Sequence, residues 1–147
     1  MEATATPRID FYDGGSRHAD PLAVVVALVC KAAAAGQRPL VLAVDADQAS
    51  RLDERLWDVQ PVSTFVPHAM ADDPHCNAAQ VVIATPAHAV SGFGLVVNLR
   101  PDEVDLECAR IIELIPADDD GKRLARDRWR AYQARGLTPT KIDLDRR

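Results

Sequence analysis

The 147-residue chain is poor in aromatic side chains, with three Phe, two Trp and two Tyr. Each ring is therefore a marked position. Cysteine is scarce as well: Cys30, Cys76 and Cys108 stand far apart, with no Cys-x-x-Cys pair. That spacing excludes a zinc ribbon and a thioredoxin-type motif. An odd, scattered set fits reduced thiols in the cytoplasm. Residues 22–30 form the longest apolar stretch, well short of the about 20 residues that a membrane span needs. Residues 1–8 hold no long apolar run, so no signal peptide is expected. Glycine-rich phosphate signatures of the G-x-G-x-x-G and G-x-x-x-x-G-K-[ST] types are missing, and so is the G-x-S-x-G nucleophile elbow. A positive charge balance is also lacking. Seventeen Lys and Arg face 22 Asp and Glu, for a net charge of −5. A protein that coats nucleic acid by bulk charge is excluded.

What is present is an ordinary globular balance, 48% hydrophobic and 27% charged. The length suits one domain. We place it at residues 1–137, followed by a polar tail at 138–147. Ile9 and Phe11 alternate with Asp10 and Tyr12, as in a short strand. Asp20 and Pro21 supply a cap and a first turn for a helix over 21–35, which Gly36 ends. Residues 40–44 form a continuous apolar run, the pattern of a strand buried on both faces. Strand, helix and strand here read as one right-handed βαβ unit. Asp45 and Gln48 resemble a capping box for a helix reaching Trp57. Further strands are predicted at 64–66, 81–84, 95–99 and 110–115, with a loop over 69–79. A last helix runs from about residue 118 to 135. The pattern predicts an α/β protein with a three-layer Rossmann-like fold. Its sheet is expected to be mixed, mostly parallel, with helices on both faces and some antiparallel pairing late in the chain.

Catalytic signals are weak. Asp13-Gly14-Gly15 follows the first strand, where a phosphate loop would sit, but lacks the backbone cradle of such loops. Ser16-Arg17-His18 with Asp20 has no nucleophile elbow. His68, His75, Cys76 and His88 share one region, but their spacing matches no standard metal site. The residues thus read as a non-enzyme with no cofactor and no metal. The alternative is a Rossmann-like nucleotide-binding enzyme using the Asp13-Gly14-Gly15 turn.

The sharp anomaly is charge placement. Residues 122–135 hold six basic residues against the single acid Asp127, a local +5 in a chain of net −5. On a wheel of about 100° per residue, Leu124, Ala125, Ala131 and Tyr132 form a core stripe. Trp129 borders it, while Arg126 and Arg130 lie outside. Arg128 falls inside the stripe, where it must snorkel or pair with a carboxylate. A rim of one indole and two guanidinium groups suits a short acidic peptide with an apolar anchor. The same pattern also fits a solvated basic face with Trp129 simply packed. Trp57 and Phe65, each near an element end, are candidates either for a second interface or for the core.

At these residues the chain resembles a known family. Arg51-Leu52-Asp53-Glu54-Arg55-Leu56-Trp57, Ser63-Thr64-Phe65-Val66-Pro67-His68 and the run from Leu124 to Tyr132 are similar to the chi subunit of bacterial DNA polymerase III holoenzyme. The likeness extends in order along nearly the whole chain. It implies a small Rossmann-like accessory protein of the clamp loader complex, taking part in DNA replication, without catalysis of its own. It also implies two partners. One is the acidic C-terminal tail of single-stranded DNA-binding protein, at Arg126, Trp129 and Arg130. The other is the psi subunit, or a helicase in some bacteria, at Trp57 and Phe65. The family often carries tyrosine and lysine where this chain has Trp129 and Arg130, so the ring and the charge are kept. DNA would be reached only indirectly, since residues 87–94 are small and apolar where a family member carries a basic loop.

Overall fold

Apolar runs bounded by turn residues become the inner strands of one sheet. A computed structural model describes residues 6–13, 20–58 and 66–144. The elements are β1 (Arg8–Asp13), α1 (Pro21–Ala34), β2 (Pro39–Leu42), α2 (Ala46–Trp57), β3 (His68–Met70), β4 (Val81–Ala84), β5 (Leu95–Asn98), β6 (Arg110–Ile115), α3 (Asp119–Ala134) and β7 (Thr140–Asp143). β2, β4 and β5 are buried along their whole lengths. This is the behaviour of strands covered on both faces.

The local stop and start signals operate as the residues dictate. Asp20 caps α1 by accepting from the Leu22 amide at 3.1 Å, with Pro21 at its first position. Past the end of α1, Gly36 takes φ +85°, a region where a side chain would be strained. Asp45 caps α2 through the Gln48 amide at 2.8 Å. The returning Gln48 Oε1 accepts from the Val44 amide at 2.7 Å, one residue before the cap.

The sheet order is β3-β4-β2-β5-β6-β1-β7, and every pairing among the described residues is parallel. This corrects the mixed sheet with late antiparallel pairing. The connections 71–80 and 99–109, though they contain no α-helix, carry the chain back to the edge where the strands start, as parallel pairing requires. β1 and β2 are not neighbours, because β5 and β6 lie between them. The strand predicted at 64–66 falls partly on residues outside the description, and the described strand there is β3, three residues that reach into the region read as a loop. A single 3-10 turn, Cys76–Ala78, also occupies that predicted loop. The segment read as a polar tail contains β7, which adds to β1 at the sheet edge with Lys141 opposite Phe11.

Two cores result. Val25 and Val29 of α1 with Leu52 and Leu56 of α2 pack on one face, against Val41, Ile83 and Val97. Ala125 and Tyr132 of α3 pack on the other, against Ile9, Phe11, Leu40 and Ile111. Helices on both faces make the three-layer Rossmann-like fold.

Candidate functional site

α3 is built to turn two different faces in two directions. Asp118 caps it through the Gly121 amide at 2.8 Å, and Asp119 and Asp120 complement the positive end of its dipole. Gly121 sits so close to Pro116 that an added Cβ would lie 2.5 Å from the ring, so the tight turn from β6 into α3 requires glycine. Ala125, Arg128 and Tyr132 are buried. Arg128 Nε donates to Glu113 Oε1 at 2.9 Å, and its side chain is 8% exposed. Tyr132 donates to Glu113 Oε2 at 2.6 Å while its oxygen accepts from Val104 N at 2.9 Å. Asn98 Nδ2 donates to the same carboxylate at 2.9 Å. Burial pushes the Glu113 carboxyl above its ordinary value, opposed by the Arg128 charge and by these hydrogen bonds. Burial and the adjoining Glu113 carboxylate raise the Tyr132 phenol far above its ordinary value. Buried polar groups this well satisfied lock a helix to a sheet. The helical wheel puts Arg128 in the core stripe, and the structure supplies its carboxylate.

The outer flank of α3 borders a cleft of about 330 Å³. Its lining includes Phe11, Lys122, Arg126, Trp129 and Lys141. Trp129 is half-buried and lies 5.1 Å from the Phe11 ring, centroid to centroid. The ring is therefore packed on Phe11 and still partly exposed along the cleft. Lys122 and Arg126 hold no side-chain ion pair among the described residues. Lys141 faces Asp13 at 3.4 Å. Three cations against one acid leave the cleft positive. Arg126 and Trp129 are thus brought together. Arg130 lies one turn further along, outside the lining, exposed and 3.7 Å from Asp127. Sequence reasoning missed Lys141 and Phe11 as parts of this site. Their meeting depends on the β1–β7 register, which pairs those two positions.

Trp57 ends α2 with 65% of its surface exposed. Its ring stands edge-on to His68, 5.1 Å away. His68 in turn lies 3.2 Å from Asp53 Oδ1 through Nε2 and 2.9 Å from the Val66 carbonyl through Nδ1. Phe65 lies outside the described residues. Trp57 sits beside β3, at one end of the strand order, whereas the α3 cleft lies over β1 and β7, at the other.

Among the described residues, the remaining sequence candidates stand in separate contacts. Gly14, Gly15, Ser16, Arg17 and His18 lie outside the described residues. Asp20 caps α1 and pairs with Arg55 at 2.6 Å. His88 accepts from the Thr85 amide at 3.0 Å and faces Asp72 at 3.5 Å, whereas His68 faces Asp53. Among the described residues, no group of three metal-ligating side chains gathers. No helix among them is long and apolar enough to cross a membrane.

Fold and site together define the class as a three-layer Rossmann-like domain with a basic, aromatic-floored cleft on its last helix. Residues 6–140 match the family described as DNA polymerase III chi subunit, HolC. The chain belongs to this family. It is 37% identical over 125 residues to DNA polymerase III subunit chi of Escherichia coli (strain K12), covering 80% of this chain and 84% of that protein. It is 30% identical over 134 residues to the subunit of the same name from Pseudomonas aeruginosa, covering 88% and 91%. Among solved structures, a DEAD box protein from the hyperthermophile Methanococcus jannaschii aligns with a TM-score of 0.60 at 13% identity, over 95% of this chain and 42% of that one. Dbp5 of S. cerevisiae, bound to RNA and ADP BeF3, aligns at 0.61 and 12%, over 96% and 42%. This chain spans less than half of either, and at such identity the likeness is one of fold.

Proposed function

We propose that this chain is a cytoplasmic, non-catalytic accessory subunit of the DNA polymerase III clamp loader complex. In this reading it grips the acidic C-terminal tail of single-stranded DNA-binding protein in the α3 cleft. At Trp57 and Phe65 it holds the psi subunit or a helicase, and so links the two. DNA is reached through these partners. The observation that carries the proposal is the α3 cleft, where Lys122 and Arg126, without ion pairs among the described residues, stand beside the half-buried Trp129. Tail carboxylates would exchange water for ammonium and guanidinium donors, with Arg126 offering a two-pronged contact. The apolar end of the tail would settle against Trp129 and Phe11, and Arg130 would extend the positive field one turn further. Placing the second surface beside β3 leaves both partners room to bind at once.

Calorimetry with a synthetic tail peptide tests this reading. Arg126→Ala should weaken binding about tenfold or more, since a charge-assisted hydrogen bond contributes roughly 1.5–3 kcal/mol. Added salt should weaken it further. Unchanged affinity in both Arg126→Ala and Trp129→Ala would sink the proposal.

A further inference from the structure

α1 is apolar nearly all the way round. Its 14 residues include one charged side chain, Lys31. A helix of this kind belongs where more than one face is covered. One face is covered, with Val25 and Val29 buried against the sheet. The flank bearing Ala23, Ala27 and Leu28 instead lines a groove of about 610 Å³, floored by Tyr12 and Ile112. α3 covers β1 and β6 on the opposite face. On this face α1 reaches Tyr12 and Ile112 from one side only, and the groove runs along that flank.

The far wall of the groove is basic and rigid. Arg110 donates to Asp10 Oδ2 at 2.9 Å and to the Tyr12 hydroxyl at 2.8 Å. Arg8 reaches the same carboxylate at 2.9 Å. Two arginines share one buried acid, which leaves one positive charge uncompensated. Lys31, without an ion pair among the described residues, adds a second. Among the described residues no acidic side chain lines the groove.

We propose that this groove docks an acidic amphipathic helix from a partner protein, its apolar face on α1 and its carboxylates toward Lys31 and Arg8. The floor dictates a helix. β1 is hydrogen-bonded to β6 on one side and β7 on the other, so its backbone offers no free edge. An extended segment lying there would bury unpaired amide and carbonyl groups, whereas a helix satisfies its own. Ala23 and Ala27, one turn apart, let a second helix approach closely. Charge dictates the acidity, and it disfavours a second copy of this chain, which would set one basic groove against another. The groove is also separate from the α3 cleft, because Tyr12 and Phe11 point to opposite faces of β1.

The test is photo-cross-linking of the full chain with p-benzoylphenylalanine at position 27, in cells that carry its natural partners. The same photoreactive residue in place of the exposed Ser50 of α2 serves as control. The expected product joins position 27 to an acidic segment with apolar residues at helical spacing. Lys31→Glu should lower its yield at least tenfold and Lys31→Gln by less, while Arg126→Ala leaves it unchanged. An unchanged melting temperature in the Lys31 variants confirms their fold. The proposal is overturned by a yield no higher than at position 50, by capture of another copy of this chain or of a neutral or basic segment, or by a yield indifferent to Lys31→Glu. Loss of tail binding in Arg126→Ala with the cross-link intact separates this inference from the function proposed above.

Discussion

Two arginines on α3, two positions apart, show how one residue type serves opposite ends. Arg128 points inward, is 8% exposed and holds a fully buried Glu113 at 2.9 Å. Arg130 points outward, is 73% exposed and lies 3.7 Å from a half-exposed Asp127. The inner pair sits where water cannot screen it, so neither partner can be lost cheaply. The outer pair is screened and flexible, and its guanidinium can leave Asp127 for a visiting carboxylate at little cost. Helix α3 therefore fastens itself with one face and leaves the other free to recognise.

The comparison is broken hardest from the inside. Arg128→Ala leaves the Glu113 carboxylate buried without its cation, and should cost about 3–5 kcal/mol. For a domain of this size that lowers the melting temperature by roughly 10–15 °C, measurable by calorimetry, and it should loosen the cleft along with the fold. Trp57→Ala should lower capture of psi or helicase by more than about 2 kcal/mol if the ring is an interface anchor. Its melting temperature should hardly move, because the ring is mostly exposed. A large thermal shift instead would assign Trp57 to the core. Arg126→Ala should weaken tail-peptide binding about tenfold while leaving thermal stability within about 0.5 kcal/mol of the parent. That separation of affinity from stability is the sharpest form of the comparison.

A fourth expectation concerns acid. Burial raises the Asp10 carboxyl, but hydrogen bonds from Thr140 and Arg110 and the Arg110 charge outweigh it, so the group is held below its ordinary value of 3.8. Below that value the unfolded chain takes up the proton more readily than the folded one. The stabilising contribution is therefore present above about pH 3.8 and fades as pH falls through the lower folded value. Urea titrations across pH should show this acid limb, flattened in Asp10→Asn. The smallest effect belongs to the outer pair: Asp127→Ala should change stability by less than about 0.5 kcal/mol.

Much of this architecture was legible because its causes are local. Asp20 with Pro21, Asp45 with Gln48, and Gly36 mark helix ends through contacts a few residues long. Arg128 was legible as a charge in a core stripe, since 3.6-residue periodicity needs no tertiary information. What escaped was contact across the chain. β3 is three residues long and too short to carry a period. Lys141 looked like part of a polar tail because nothing nearby says that residues 140–143 will find β1.

The sequence alone determined the helices, the inner strands, the basic outer face of α3 and the place of Arg128 in the core stripe, where it must snorkel or pair with a carboxylate. These follow from side-chain periodicity and capping, which act within a few residues. Only the tertiary structure decided that Glu113 pairs with Arg128, that Lys141 joins Arg126 and Trp129 in one cleft, and that Ala23 and Ala27 of α1 stay exposed along the groove. Those outcomes depend on strand order and register. They are settled by which surfaces bury one another between segments far apart in the chain, and no local pattern encodes that choice.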